Sequence, residues 1–156
     1  MEFFTDVNCG KQFPLLLREA GLTVHLHVDH FEADADDVTW APAIAERGWV
    51  GISRDRRITR TAMEYDAVMF AGGRLFVMTG GGMKTDLLAR NFINTLPRIL
   101  DTIAASEAPY IAMVYRPSPI ESILDGTPGS VKVLLTREEW ERRRRKRFPS
   151  SGISSP

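Results

Sequence analysis

The chain of 156 residues is poor in cysteine and has no long apolar runs. Its one cysteine, Cys9, excludes an internal disulfide framework, and with only three histidines it does not provide the usual ligands of a cysteine-rich zinc site. No uninterrupted apolar stretch approaches the roughly 20 residues of a membrane span. The N-terminus also lacks a basic segment followed by an apolar one. We therefore expect a cytoplasmic protein with no membrane partner and with Cys9 as a small buried residue.

Length and composition are those of an ordinary globular domain. The chain is 44% hydrophobic and 26% charged, which suits one domain with one core. Its zero net charge conceals an asymmetry, because residues 137 to 147 hold seven Lys/Arg against three Glu. Removing them from the 20 basic and 20 acidic residues of the chain leaves 13 against 17. A net-acidic body thus carries a basic run, Arg142 to Arg147, which either contacts phosphates or an acidic partner or is a solvated helix end.

Short apolar runs alternate with amphipathic stretches, which is typical of a βα chain with a parallel sheet. The pattern predicts strands near 2 to 6, 23 to 28, 49 to 54, 74 to 79 and 110 to 115. It predicts helices at about 11 to 20, 37 to 47, 60 to 71 and 84 to 106. Pro97 lies inside the last helix and should kink it or separate two shorter helices.

The pattern changes after Arg116. A loop rich in Pro, Ser and Gly leads to a strand-like segment at 131 to 135 and a charged helix from about Thr136. Some 40 residues cannot bury an independent core. We therefore divide the chain into a domain at 1 to 117 and an appendage at 118 to 156, with a basic helix and a flexible end.

Three acidic residues fall where a βα chain brings strand ends and helix starts to one rim. Asp6 closes the first apolar run, Asp55 closes the third, and Asp37 stands at the start of the helix between them. Crowded carboxylates repel one another, and their oxygen atoms suit Mg²⁺ or Mn²⁺. A single Asp after a strand is more often a cap, but three at equivalent positions favour a metal site in a phosphodiester hydrolase.

Several polar residues lie near this predicted rim. Asn8 is placed to orient a carboxylate, and Lys11 to meet a phosphate near a helix N-terminus. Thr79 follows the fourth strand, where its hydroxyl is placed to position water or a metal, and it opens the run Thr79 to Thr85, which includes three consecutive glycines. That run lacks the Gly-Lys pair of a Walker A loop, so a strand-to-helix turn is favoured over a kinase site. The alternating His25, His27 and His30 are favoured as structural groups over metal ligands.

The chain contains an ordered set of short segments: Phe4 to Lys11, Asp37 to Trp40, Gly48 to Ile58, Leu75 to Gly81 and Asn91-Phe92. Together these segments resemble the PIN-like domain of certain VapC-type toxins, and the resemblance covers about residues 3 to 117. It implies a three-layer α/β fold, with a mainly parallel central sheet flanked by helices. It also implies a ribonuclease that depends on Mg²⁺ or Mn²⁺, acts on RNA as the toxin of a bacterial toxin–antitoxin pair, and is inhibited by a cognate antitoxin protein. Asp6, Asp37 and Asp55 match the acidic positions of its metal site. Whether the chain forms a homo-oligomer is left open by the sequence.

One position departs from this resemblance. Related PIN-like proteins often carry a second acidic residue two positions after the one that matches Asp55, and here that position is Arg57. Glu64 and Asp86 are candidates for the additional carboxylate, while Arg56 and Arg57 are candidates for gripping the substrate phosphate. The alternative function is therefore a catalytically degenerate PIN-like module that binds RNA or protein.

Overall fold

A computed structural model of the chain describes residues 1 to 32 and 34 to 149, without the side chains of residues 37 and 38. One six-stranded sheet forms its centre, in the order β2-β1-β3-β4-β5-β6. The first five strands are parallel, and β6 runs antiparallel to β5. The strands are β1 (Glu2–Thr5), β2 (Thr23–Leu26), β3 (Val50–Ser53), β4 (Arg74–Met78), β5 (Tyr110–Tyr115) and β6 (Ser130–Leu135).

Helices cover both faces of this sheet. They are α1 (Gln12–Glu19), α2 (Asp37–Glu46), α3 (Ala62–Ala71), α4 (Thr85–Ala105) and α5 (Arg137–Arg147). Successive residues of a strand point to opposite faces, so Phe3 packs with α1 and α4 while Phe4 packs with α2. The same side as α2 also holds α3 and the buried Trp140 of α5. The predicted three-layer α/β fold with a mainly parallel sheet is confirmed.

Helix α4 continues through Pro97 as one helix. The alternative of two shorter helices is therefore wrong. Pro97 lies on the exposed side of α4, where solvent can hydrate the carbonyl that loses its N–H partner. The opposite side buries Phe92, Thr95 and Ile99 against the sheet, and this packing holds the helix together across the proline.

The glycine-rich run after β4 is a turn that its backbone requires. Gly80 has a φ of +116° and Gly82 a φ of +86°, which L side chains rarely adopt. A Cβ at Gly80 would also come within 2.7 Å of the Met83 side chain. These two constraints support the structural interpretation of the run as a strand-to-helix connection.

Residues 118 to 149 are joined to the sheet. Strand β6 pairs with β5, and Thr136 caps α5 by accepting a hydrogen bond from the Glu139 N–H. Trp140 is 6% exposed, and its Nε1 donates to Asp66 in α3 at 2.7 Å. The segment thus completes one edge of the sheet and one helical layer. The predicted flexible end, from residue 150 onward, lies outside the described residues, and the division near residue 117 stays a prediction.

Within the described residues, no helix combines the length and the apolar character needed to cross a lipid bilayer.

Candidate functional site

The strand order places the candidate site beside β1. The chain passes from β1 to β2 on one side and returns to β3 on the other, and in open parallel sheets ligands bind at the carboxyl ends of strands where such a reversal occurs. A cavity of about 390 Å³ lies at this point. We call it the carboxylate crevice, because its lining includes five acidic residues: Asp6, Asp34, Asp36, Asp55 and Glu64.

Asp6 is the buried acid of the crevice. Its backbone N–H donates to Ile52 O at 3.1 Å, which ties the end of β1 to β3. The side chain caps the following helical turn by accepting from the Asn8 N–H at 3.1 Å, and it is only 3% exposed. Burial raises the pKa of Asp6 above its usual value, although its hydrogen bonds act in the opposite direction. Nearby positive charge would stabilise the ionised form.

Ser53 is a site residue that the sequence reasoning missed. Its hydroxyl donates to Asp6 Oδ2 at 2.5 Å and accepts from the Asp55 backbone N–H at 3.0 Å. The side chain is fully buried at the last position of β3. A small polar residue at the buried end of an otherwise apolar strand was the available signal. Ser53 fixes the two carboxylate segments relative to each other.

Asp55 is held by an arginine. It caps a short helical turn, Arg56–Thr59, by accepting from the Arg57 N–H at 3.0 Å. The Arg57 guanidinium also donates to both carboxylate oxygens, from Nε at 2.9 Å and from Nη2 at 2.8 Å. This side-chain bond to Arg57 lowers the pKa of Asp55 below its usual value. Asp55 is therefore ionised at neutral pH and already neutralised by one fixed cation.

The two candidates for an additional carboxylate lie in different places. Glu64, in the first turn of α3, lines the crevice. Its Oε2 is buried, and no hydrogen-bond partner is found for it in the described part of the chain. Asp86 is exposed at the start of α4, accepts from the Leu87 N–H at 2.9 Å, and does not line the crevice. The structure thus brings Glu64, and not Asp86, to the predicted rim.

The segment before α2 contributes further acids. Asp36 is the N-cap residue, and it accepts from the Thr39 N–H at 3.2 Å while lining the crevice with Asp34. Asp37 is the first residue of α2, next to this lining, but its side chain lies outside the described part of the structure. Its predicted role as a metal ligand stays a prediction.

The predicted supporting residues separate into three places. Asn8 and Arg57 line the crevice. Lys11 lines a neighbouring cavity of about 160 Å³ that shares Asp6 with the crevice. Arg56 and Thr79 line a third cavity of about 60 Å³, beside β4. The structure does not bring these two to the carboxylates.

Thr79 is separated from Asp6 by the strand order. Strand β4 lies one position beyond β3, and the Thr79 hydroxyl donates to the Val114 carbonyl of β5 at 3.0 Å. This bond to the neighbouring strand satisfies the hydrogen-bonding capacity of the Thr79 hydroxyl as a donor. It supports a structural role for Thr79 in place of the predicted contact with water or metal.

The three histidines do not line the crevice. His25 contacts Glu2 through Nε2 at 3.0 Å and stacks on Trp49, with their ring centroids 3.6 Å apart. His27 is buried between Phe4 and Phe31. The contacts of His25 agree with the interpretation of the histidines as satisfied structural groups. His27 departs from it, because both of its ring nitrogens are buried without a hydrogen-bond partner in the described part of the chain.

The donor atoms of the crevice suit a hard divalent cation. Carboxylate oxygens are the ligands that Mg²⁺ and Mn²⁺ prefer, and a cation would stabilise the ionised form of the buried Asp6. The buried Glu64 Oε2, for which the described part of the chain offers no hydrogen-bond partner, is a further candidate oxygen ligand in the same crevice. Among the described side chains, no three His, Cys, Asp or Glu residues form a group that could hold a metal ion. The oxygen donors thus fit Mg²⁺ or Mn²⁺, but the described side chains do not form a complete set of ligands, and Asp37, whose side chain is not among those described, stays a predicted ligand.

Comparisons with known proteins agree with this geometry. Residues 1 to 80 match the family model described as a PIN like domain. A Mycobacterium tuberculosis (strain ATCC 25618 / H37Rv) protein named "Putative ribonuclease VapC45" is 33% identical over 126 residues, which cover 78% of this chain and 90% of that protein. No solved structure is significantly similar to the chain. The family match includes β1 and every residue that lines the carboxylate crevice. The chain belongs to the PIN-like family as a VapC-type domain.

Proposed function

We propose that this protein is a metal-dependent ribonuclease that acts as the toxin of a bacterial toxin–antitoxin pair. The observation that carries the proposal is the burial of Asp6 beside the second carboxylate of Asp55 at the carboxyl ends of β1 and β3. Burial disfavours the ionised form of Asp6, with a smaller contribution from the charge of Asp55, so a divalent cation would stabilise the ionised site. Such carboxylates are a usual site for phosphodiester hydrolysis with divalent metals. The ribonuclease name of the Mycobacterium relative supports RNA as the substrate.

The roles of the side chains follow from their contacts. Asp6, Asp55 and Asp37 are the proposed ligands, and Glu64 is the proposed additional one. When bound, Mg²⁺ or Mn²⁺ supplies positive charge that neutralises these carboxylates and polarises the phosphodiester. Ser53 holds the Asp6 carboxylate in one orientation.

The groups that face the substrate are also proposed from their positions. Arg57 lines the crevice with an exposed guanidinium, so it can donate to an RNA phosphate from there. Asn8 lines the same space, and Lys11 lies in the adjoining cavity, where its ammonium group would neutralise a neighbouring phosphate of the strand. An RNA strand would then cross the crevice with its backbone toward these groups.

The direct test is hydrolysis of total RNA by the purified protein. Cleavage is expected with Mn²⁺ and its loss with EDTA. Asp6→Asn and Asp55→Asn should each abolish cleavage and weaken Mn²⁺ binding in calorimetry, while Asp125→Asn, at an exposed residue outside the crevice, serves as the control. Cleavage that persists in both crevice variants would refute the assignment.

A toxin of this class must be silenced in its own cell. The rim of the crevice exposes Met63 (75%) and Val7 (43%) around the carboxylates, and such an apolar edge suits coverage by a partner protein. We therefore propose a stable complex with the small protein of a neighbouring gene, formed in the cytoplasm. Co-expression should yield both chains together. Recovery of the chain alone, combined with harmless overproduction, would contradict this part of the proposal.

A second candidate function is supported by one contact. The Arg57 guanidinium donates to both carboxylate oxygens of Asp55, and such a pair can neutralise this carboxylate in a degenerate PIN-like module that binds RNA or protein. Calorimetry with Mn²⁺ separates the two functions. A ribonuclease should bind the cation through Asp6, whereas a degenerate module should not bind it measurably.

A further inference from the structure

We propose that α5, together with the adjoining face of α3, is a binding surface for single-stranded RNA. The α5 surface, as we call it, consists of Phe70, Arg142, Arg145, Lys146 and Phe148. The proposal deepens the proposed ribonuclease function by assigning where the strand is held outside the crevice, and it rests on that function.

Helix α5 is fixed to the body of the molecule. Trp140 is buried and donates to Asp66 of α3, and Arg147 donates to both oxygens of the same carboxylate at 2.9 and 3.0 Å. The Arg143 guanidinium lies 5.4 Å from the centroid of the Tyr65 ring. These contacts orient the helix, so the side chains on its outer face form a defined surface and not a freely moving tail.

The outer face of α5 carries more basic than acidic residues, with Glu138 as an exposed acid on the same side. Arg142, Arg145 and Lys146 follow the i, i+3, i+4 spacing that places residues on one side of a helix, and all three are exposed. Arg142 is paired with Glu139 at 2.6 Å. The rest of the chain, outside residues 137 to 147, has four more acidic than basic residues. Positive charge is thus concentrated where it can offset the repulsion between an acidic body and a polyanion.

Exposed aromatic rings adjoin this charge. Phe70 is 62% exposed and Phe148 is 69% exposed, and large apolar side chains exposed to this degree are candidates for contact with a ligand. The Arg144 guanidinium lies 4.6 Å from the Phe70 centroid, and Arg144 also lines a shallow groove with Glu141, Arg145 and Phe148. Bases of single-stranded nucleic acid stack on such rings, while cationic side chains contact the phosphates.

The α5 surface is close enough to the crevice for one strand to reach both. Glu64, which lines the crevice, and Phe70, which contacts Trp140, lie six residues apart on α3. At 1.5 Å per residue this is about 9 Å along the helix. A strand held on α5 can therefore extend into the carboxylate crevice within a few nucleotides.

RNA explains this combination of features better than the two simpler interpretations. Cations near a helix C-terminus stabilise the helix dipole, but that effect does not require exposed rings on the neighbouring helix. An acidic protein would be attracted by the charge, but it gives no role to two aromatic faces flanked by guanidinium groups. Bases and phosphates use both features at once.

The test measures binding without cleavage. The Kd of an end-labelled oligouridine is measured by fluorescence anisotropy in EDTA over a range of salt concentrations. The triple variant Arg142→Gln, Arg145→Gln, Lys146→Gln should bind more weakly, and the slope of log Kd against log salt should fall by about 2, because each phosphate contact on a single strand contributes about 0.7. The matched control Lys84→Gln, Arg116→Gln, Lys132→Gln removes the same charge from exposed residues outside α5 and should keep the slope.

A single substitution tests the stacking. Phe148→Ala should weaken oligouridine binding by about tenfold with no change in salt slope, since stacking of one base on an aromatic ring contributes about 1 to 3 kcal/mol and each 1.4 kcal/mol is about a factor of ten. Leu124→Ala, at another exposed apolar residue, is the control. Circular dichroism shows whether each variant remains folded, and Lys146→Gln alone, at an exposed residue, provides a milder change if the triple variant unfolds.

The outcomes separate this inference from the proposed function. If the chain binds RNA through α5 but does not cleave it with Mn²⁺, the proposed nuclease function is contradicted and the proposed α5 surface is supported. If the triple variant cleaves RNA and binds it with unchanged affinity and salt slope, the proposed α5 surface is contradicted and the proposed nuclease function is supported. Equal weakening by the triple variant and its control would also overturn the α5 surface, as would undetectable binding by the natural chain. If the triple variant keeps the salt slope for oligouridine but no longer binds an acidic protein, α5 contacts a protein partner and the proposed RNA surface is contradicted.

Discussion

The Ser53 hydroxyl donates a hydrogen bond of 2.5 Å to the buried carboxylate of Asp6, across 47 residues of sequence. The same oxygen accepts from the Asp55 N–H, so one small side chain connects the ends of β1 and β3. The carboxylate of Asp6 can neither rotate nor approach Asp55 without breaking this bond. Ser53 is thus a positioning residue for the proposed metal ligands.

Removal of this hydroxyl is the first prediction. Ser53→Ala should lower Mn²⁺ affinity by about 10- to 100-fold, the usual effect of losing a group that orients a ligand. The pKa of Asp6 should rise further, since the bond from Ser53 opposes the effect of burial. Calorimetry gives the affinity, and carboxyl NMR gives the pKa. Ser122→Ala, whose hydroxyl bonds Pro119 O elsewhere, should change neither quantity.

The second prediction concerns stability and pH. Because burial raises the pKa of Asp6, the folded chain binds this proton more tightly than the unfolded chain. The resulting stabilisation is complete below the pKa of the unfolded carboxyl, about 3.9, and it is lost as pH rises through the raised pKa of the folded chain. In EDTA at neutral pH, Asp6→Asn should therefore unfold at a higher urea concentration than the natural chain.

Two further measurements test this assignment, one at lower pH and one with added Mn²⁺. The difference in urea midpoint between Asp6→Asn and the natural chain should narrow as the pH falls, because Asp6 becomes protonated below its raised pKa. Addition of Mn²⁺ should stabilise only the natural chain, because a ligand that binds the folded state raises the free energy of unfolding. A variant that is less stable at every pH would contradict the assignment of a costly buried charge.

The third prediction is that Arg57 competes with the metal for Asp55. Arg57→Gln removes the two-point contact to this carboxylate and should raise Mn²⁺ affinity by about tenfold, or about 1.4 kcal/mol. Cleavage should still fall if the guanidinium also contacts phosphate. Arg56→Gln changes a neighbouring arginine that lies outside the crevice and is the matched control. Equal affinities in all three proteins would show that the pairing does not oppose metal binding.

The fourth prediction separates the two candidates for the additional carboxylate. Glu64→Gln should weaken Mn²⁺ binding at least about tenfold, since its Oε2 is buried in the crevice without a hydrogen-bond partner among the described residues. Asp86→Asn should leave it unchanged, because Asp86 lies at the exposed start of α4. The opposite pattern in calorimetry would move the proposed site toward α4.

The fifth prediction concerns the attachment of α5. Trp140→Ala should lower the free energy of unfolding by about 3 to 5 kcal/mol, the usual cost of emptying a buried aromatic site. Trp140→Phe keeps the ring but loses the bond from Nε1 to Asp66, at a cost of about 1 to 3 kcal/mol. Urea unfolding measures both. Deletion of residues 137 to 156 should destabilise the chain similarly, and an unchanged unfolding midpoint would show that α5 is a dispensable appendage.

The sequence by itself determined the elements and much of the candidate site. Hydrophobic periodicity is a local property, so it located the strands and helices, and it placed Asp6 and Asp55 after neighbouring parallel strands. The resemblance of short segments to PIN-like domains identified the family, and both comparisons agree. The expected burial of Cys9 is confirmed.

Only the tertiary structure decided which residues meet. The order β1-β3-β4 brings Ser53 and Glu64 to Asp6, and it moves Thr79 one strand farther away. Contacts between residues distant in sequence, such as Trp140 with Asp66 across 74 positions, depend on how strands and helices pack and leave no periodic signal in the chain. The pairing of Asp55 with Arg57 is local, but the side-chain orientation that makes it bidentate exists only in the folded crevice.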